Sequence, residues 1–306
     1  MVIKVSGVYH AGELTVQKLA GAEIVAQQNG TGIKPVILKG AMAFLRTQSL
    51  ILASSVDGYG RVWSSFLTGE PGFINVTSEN TLRIISIPVA SDPLVGNIAS
   101  NPEIGLLAID FNRRIRMRIN GQGHFDEDRR LSVTTEQVYG NCPKYIQKRS
   151  LQPSGGLHRT LKSVEQSFHL NSKQQEWIRK SDTFFIGSAS LEGKADVSHR
   201  GGNPGFVKVA DANTLLFPDY FGNSMFNTLG NIYSNPSSSL LFIDFDSGNS
   251  LQLTGRSTII WDENEISSFA GAERLVQFVI DEVIYTEYRS SLSWDIFEYS
   301  PANPTL

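Results

Sequence analysis

Residues 44–82 recur without a gap as residues 177–215. The segment PGFINVTSENTL (71–82) returns as PGFVKVADANTL (204–215). After one extra residue in the second copy, GNIASNPEIGLLAIDF (96–111) returns as GNIYSNPSSSLLFIDF (230–245). The units that stack into solenoids are about 20–50 residues long, and this period is far longer. It requires two globular units in tandem on one plan, for which 306 residues leave room. The chain divides into an N-terminal extension (1–40), a first repeat (41–150), and a second repeat with a C-terminal tail (151–306).

Within a repeat the pattern is mostly strand. SLILASS (49–55), RVWSSFL (61–67), GFINVTS (72–78) and TLRIISI (81–87) are short and β-branched or aromatic, with Gly, Asn and Pro between them. The Asp57-Gly58 pair marks a hairpin turn. SDPLVGNIASNPE reads as a short helix, with Ser91 or Asp92 as cap, Pro93 in its first turn and Asn101-Pro102 as its stop. IGLLAIDF (104–111) and IRMRINGQGHF (115–125) complete six strands, and the second repeat follows the same order from TFFIGSAS (183–190) to LQLTGRSTII (251–260). The expectation is a mainly β protein of two six-stranded antiparallel barrels with peripheral helices. Between the repeats, 134–149 reads as helical at both ends, PSGG (153–156) as a loop, and 172–180 as a helix capped by Asn171 with Gln174 in the capping-box position. Helix is also expected over 16–28, and one more helix or strand pair after 262.

Charge narrows the possible partners. A net charge of −3 argues against a general binder of nucleic acid or anionic membrane. The single cysteine, Cys142, rules out an internal disulfide. No apolar run approaches the roughly 20 residues that span a bilayer, and the N-terminus lacks a signal-peptide pattern. A cytoplasmic protein is expected.

The two repeats differ where chemistry is expected. Turn glycines and core residues are common to both, but ADVSHRGG (195–202) replaces VWSSFLTG (62–69), so His199 and Arg200 stand where the first repeat has Phe66 and Leu67. FPDYFGNSMFNTLGN (217–231) adds Asp219, Asn223, Ser224, Asn227 and Thr228, a polar set without full counterpart in the first repeat. A strand-borne arginine facing a helix start rich in small polar groups suits an anion. The first-turn N–H groups and the guanidinium fork both match phosphate oxygens. The bland alternative is a surface ion pair for Arg200 beside a hydrophilic loop.

DVSHRGGNPGFV, the PDYFGN segment, TLGNI, LLFIDF and LQLTGR together resemble the pyridoxamine 5′-phosphate oxidase-like, FMN-binding split-barrel superfamily. YHAGELTVQ (9–17), YGNCPKYIQKR (139–149) and WDIFEYSPANP (294–304) are similar to its tandem flavin-nucleotide-binding subgroup. The resemblance implies FMN held at a dimer interface by the second strand and the helix start. Ser198, His199 and Arg200 would serve on the strand side, Asn223, Asn227 and Thr228 on the helix side, and Asp219 would shape the loop. The chain departs from the vitamin-pathway oxidase in its neutral Asn227-Thr228 helix start and in lacking that enzyme's basic C-terminal signature. The duplication further suggests an intrachain pseudo-dimer with one complete site, a homodimer being the alternative, with Trp63 and Arg118 bordering the isoalloxazine ring. The implied function is an FMN-dependent oxidoreductase acting on a small-molecule substrate or electron donor. The rival is a non-catalytic flavin or electron carrier, and haem or deazaflavin in the same barrel is the remaining option.

Other chemistry finds little support. The five histidines show no metal-ligand spacing, and neither a dinucleotide-binding nor a P-loop motif is present. Cys142 reads as a small packed residue, with a redox thiol as the sharper alternative. Arg113, Arg114, Arg116 and Arg118 form a basic cluster in which the last three share a strand face, either solvated or rimming an anionic substrate.

Overall fold

The computed structural model describes residues 7–86, 88–153, 159–290 and 292–305. The chain opens with helices α1 (Ala11–Leu19), α2 (Glu23–Gly30) and α3 (Lys39–Arg46). The single helix expected over 16–28 is therefore two. Gly21, at φ 62°, ends the first in the left-handed conformation that glycine adopts without Cβ strain. The first repeat supplies β1 (Leu50–Val56), β2 (Val62–Thr68), β3 (Ile74–Ser78), β4 (Thr81–Ile84), α4 (Leu94–Ser100), β5 (Glu103–Asp110), β6 (Ile115–Phe125) and β7 (Leu131–Asn141).

β7 corrects the helical reading of 134–149. LSVTTEQVYGN is no strong helix former, and pairing with β6 on one side and β4 on the other makes it a central strand. It joins the six expected strands in a seven-stranded sheet of order β2-β1-β5-β6-β7-β4-β3. β2 and β3 are joined by only five residues (69–73) yet lie at opposite edges of that sheet. The sheet must therefore curl until its edges approach while staying unpaired, which is the split-barrel arrangement.

The second repeat begins after β8 (Lys148–Pro153) and β9 (Arg159–Ser167). Apart from Pro153, the PSGG loop lies outside the described residues. α5 (Ser172–Lys180) carries the expected capping box, with Asn171 accepting from Gln174 N–H. Then come β10 (Thr183–Ala189), β11 (Ala195–Gly201), β12 (Lys208–Val209), β13 (Thr214–Tyr220), α6 (Asn227–Ser234), β14 (Ser237–Ile243), β15 (Ser250–Ile260), α7 (Glu263–Ile266), β16 (Ala272–Ser290) and β17 (Leu292–Glu298). This sheet is eight-stranded rather than six-stranded. Its path is β11-β10-β14-β15-β16-β13-β12, and the long β16 also pairs with β9. β17 turns back onto β8.

The duplication is visible in the pairing itself. Leu50 lies opposite Thr68 and Thr183 opposite Gly201, the same register 133 positions on. Each sheet wraps its own apolar core, one around Ile51, Leu82 and Ile119 and the other around Phe184, Phe217 and Phe278. A third core is shared. Leu52, Phe66 and Leu107 of the first repeat pack with Phe185, Val197 and Leu241 of the second. The two barrels therefore stand back to back, strand faces pressed together, and β6 of one is brought beside β11 and α6 of the other. No helix among the described residues is long and apolar enough to cross a membrane.

Candidate functional site

A narrow cleft opens at that junction. β6 contributes Arg116 and Arg118 from the first barrel, and the chain after β7 contributes Cys142, Lys144 and Tyr145. The second barrel contributes Ser198, His199 and Arg200 from β11, Asp219 from β13, the 222–226 loop, Asn227 and Thr228 from α6, and Glu273 and Arg274 from β16.

The charges are unevenly matched. Arg118, buried, bonds Asp196 at 3.0 Å, Ser198 Oγ at 2.6 Å, Tyr139 Oη at 2.9 Å and Asn227 Oδ1 at 3.2 Å. Arg200 and Arg274 share Asp219, each at 3.0 Å from a different carboxylate oxygen. Arg116 has no carboxylate partner among the described residues. Its Nε donates to Cys142 O at 2.8 Å, and its Nη1 meets His199 Nδ1 and O at 3.2 and 3.1 Å. Burial, with Arg118 and Arg200 nearby, brings its pKa down to about 9, which still leaves it cationic at neutral pH.

His199 is neutral for the same physical reasons. Burial comes first, then Arg116, Arg149 and Arg200, and together they hold its pKa well below the usual value. Because Arg116 can only donate, Nδ1 must be the acceptor, and the proton sits on Nε2. That N–H has no partner, and neither do Arg118 Nε, Arg200 Nε and Asn141 Nδ2. All four unmet atoms are donors.

The start of α6 adds more. Phe226 precedes it at φ 58°, ψ 28°, and no side chain caps the first turn. Ser224 is also left-handed, at φ 58°, so the loop carries strain at two non-glycine positions. The uncapped N–H groups of a first turn form an anion site.

The repeat offers an internal control. At the matching place in the first barrel, Asp92 stands before α4, accepting Leu94 N–H at 2.9 Å and Ser65 Oγ at 2.6 Å. Gln252 of β15 occupies the position of Arg118 and bonds Ser64 O at 2.9 Å. This site holds its own carboxylate and lacks the arginines, so it is closed from within.

Eight of the nine sequence-selected residues line the cleft: Ser198, His199, Arg200, Asp219, Asn223, Asn227, Thr228 and Arg118. Trp63 does not. It is buried on β2, with Nε1 donating to Asp57 at 3.2 Å beside Arg61. Asp219 acts as a clamp between two arginines and does not only shape the loop. Arg116 of the basic cluster enters the cleft. Arg114, in the turn before β6 at φ 53°, leaves it for Glu298 and Ile146 O. Sequence reasoning missed Arg274 and also Glu13. The Glu13 carboxylate on α1 accepts from Asn227 Nδ2, and burial pushes its pKa up to about 7. No local motif marks either residue, since both arrive through tertiary packing.

Residues 170–291, within the second repeat, match the family model of pyridoxamine 5′-phosphate oxidase. No curated protein matches the chain in sequence. Solved structures offer partial likenesses. HupZ of Group A Streptococcus is 10% identical, over 38% of this chain and 93% of its own, with a TM-score of 0.32. A Clostridium acetobutylicum protein related to general stress protein 26, of the pyridoxinephosphate oxidase family, is 13% identical over 41% and 92%, TM-score 0.28. An F420 reductase is 12% identical over 33% and 95%, TM-score 0.25.

Proposed function

We propose that the cleft between the barrels binds FMN and that the chain is a flavin-dependent oxidoreductase. The observation that carries this reading is the agreement in sense of the unmet groups. Arg118 Nε, Arg200 Nε, His199 Nε2, Asn141 Nδ2 and the uncapped first turn of α6 are all donors. Beside them stands the uncompensated charge of Arg116. A phosphate monoester, which is all acceptor and carries close to two negative charges at neutral pH, fits such a set. The residues present therefore fit the phosphate end of the cofactor, with Arg116, Arg200, Asn227 and Thr228 around it.

The flavin, when bound, supplies the hydride and electron chemistry. The protein binds, orients and excludes water. Arg118 keeps Ser198 and Asn227 in place by bonding both. His199, neutral and wedged edge-on between Phe111 and Phe185, offers one fixed N–H rather than a mobile proton. The barrel-to-barrel core closes the cleft from behind.

The visible spectrum of the purified chain, followed by anaerobic addition of NADH and NADPH, tests the reading. A yellow protein bleached by reductant and reoxidised over repeated turnovers is expected. A protein that takes up no FMN removes the cofactor, and one that holds FMN without turning over leaves a carrier.

A further inference from the structure

A second, wider cleft lies beyond the wall formed by Arg118, Asn227 and Asp196. Its lining is acidic: Glu13, Glu103, Glu136, Glu192 and Asp196 face Lys34 and Lys194. Lys194 is already bonded to Glu136 at 2.6 Å. His10, also in the lining, has its pKa lowered by burial.

The unmet atoms here have the opposite sense from those of the first cleft. Asp196, 3% exposed, leaves Oδ2 without a partner, and its neighbour Asn120 leaves Oδ1 without one. Their remaining atoms are committed. Asp196 Oδ1 receives Arg118 at 3.0 Å and Asn120 Nδ2 at 3.2 Å. Asn120 Nδ2 also donates to Gln137 Oε1 at 3.2 Å, so turning the amide over would forfeit two bonds. Two acceptors on neighbouring buried side chains therefore stand idle in the wall of an acidic cleft.

We propose that this cleft binds an organic ammonium ion, whose N–H groups are taken up by Asp196 Oδ2 and Asn120 Oδ1. An ammonium group brings three donors and a positive charge, and bonds of that kind to a carboxylate are among the stronger ones. A bare metal ion suits the cleft less well, because no group of three or more His, Cys, Asp or Glu among the described residues could hold one. The inference is independent of what fills the first cleft.

Titration of the full chain with butylammonium and putrescine, followed by NMR or calorimetry, tests it, with butanol as the uncharged match. Saturable binding of butylammonium is expected, with butanol weaker by about tenfold or more. Asp196→Asn should abolish that preference. Because Asp196 also holds Arg118, Asn120→Ala is the second variant, expected to weaken butylammonium by about fivefold while sparing the ion pair. Equal binding of butanol and butylammonium, no saturation with either amine, or wild-type affinity in Asn120→Ala would each overturn the assignment.

Discussion

Among the arginines around the first cleft, Arg116 differs in having no carboxylate to neutralise it, whereas Arg118 has Asp196, Arg200 has Asp219, and Arg274 has Asp219 and Glu273. That difference reorders what the SHRGG motif alone suggests. Arg200 is the residue a reader would choose, but its charge is half spent on Asp219. Arg116→Gln should weaken FMN by about 2–3 kcal/mol and Arg200→Ala by about half as much, in a fluorescence titration of the two variants. The reverse order would mean that Asp219 yields Arg200 to the ligand. The motif was legible because strand alternation and helix-start chemistry are local. The Asp219 clamp was not, because β11 and β13 meet only through the curl of the sheet. Glu13 gives a second prediction. Its pKa in the folded protein, about 7, lies above the ordinary carboxylate value, chiefly through burial, with Asp196 adding and Arg118, His10 N–H and Asn227 opposing. Neutral Glu13 therefore stabilises the fold fully below about pH 4.5, and that contribution is lost as pH rises through about 7. Relative to Glu13→Gln, the wild-type melting temperature should fall between about pH 5 and about pH 8. Parallel profiles would show that Glu13 does not titrate there.

The matching helix starts, α4 and α6, show how one plan came to serve two ends. α4 is closed by Asp92, and α6 is left open behind a left-handed Phe226. Asp92→Ala should cost about 1 kcal/mol of stability in denaturant titration, the worth of a helix-start cap, and should leave flavin affinity unchanged. A drop in affinity would mean that the first barrel's own site also takes part. The strands common to both copies were legible from their alternation, turn glycines and repetition. β7 and β16 were not. TTEQVY has no decisive local preference, and β16 acquires its 19 residues by pairing in turn with β13, β15 and β9. Pairing of that kind comes from the assembled sheet and cannot be read from a window of sequence.

The two barrels share a core, so they should unfold as one body. Leu52 and Phe185 sit on opposite sides of that seam, each fully buried. Phe185→Ala should cost about 3–5 kcal/mol, and calorimetry should still give a single transition. Two well-separated transitions would show that the seam contributes little. The two helix starts at the seam also differ in what fills them: the cleft bounded by Arg116, Arg118 and α6 has unmet N–H donors, whereas Asp92 and Gln252 occupy the matching place in the first barrel. The most direct test is to titrate cofactor-free protein with FMN and, in parallel, with riboflavin, reading stoichiometry and affinity from flavin fluorescence. One FMN per chain is predicted, with riboflavin held at least about a hundredfold more weakly because it lacks the phosphate. Two FMN per chain, or riboflavin bound as tightly as FMN, would contradict a single phosphate-gripping cleft between the barrels.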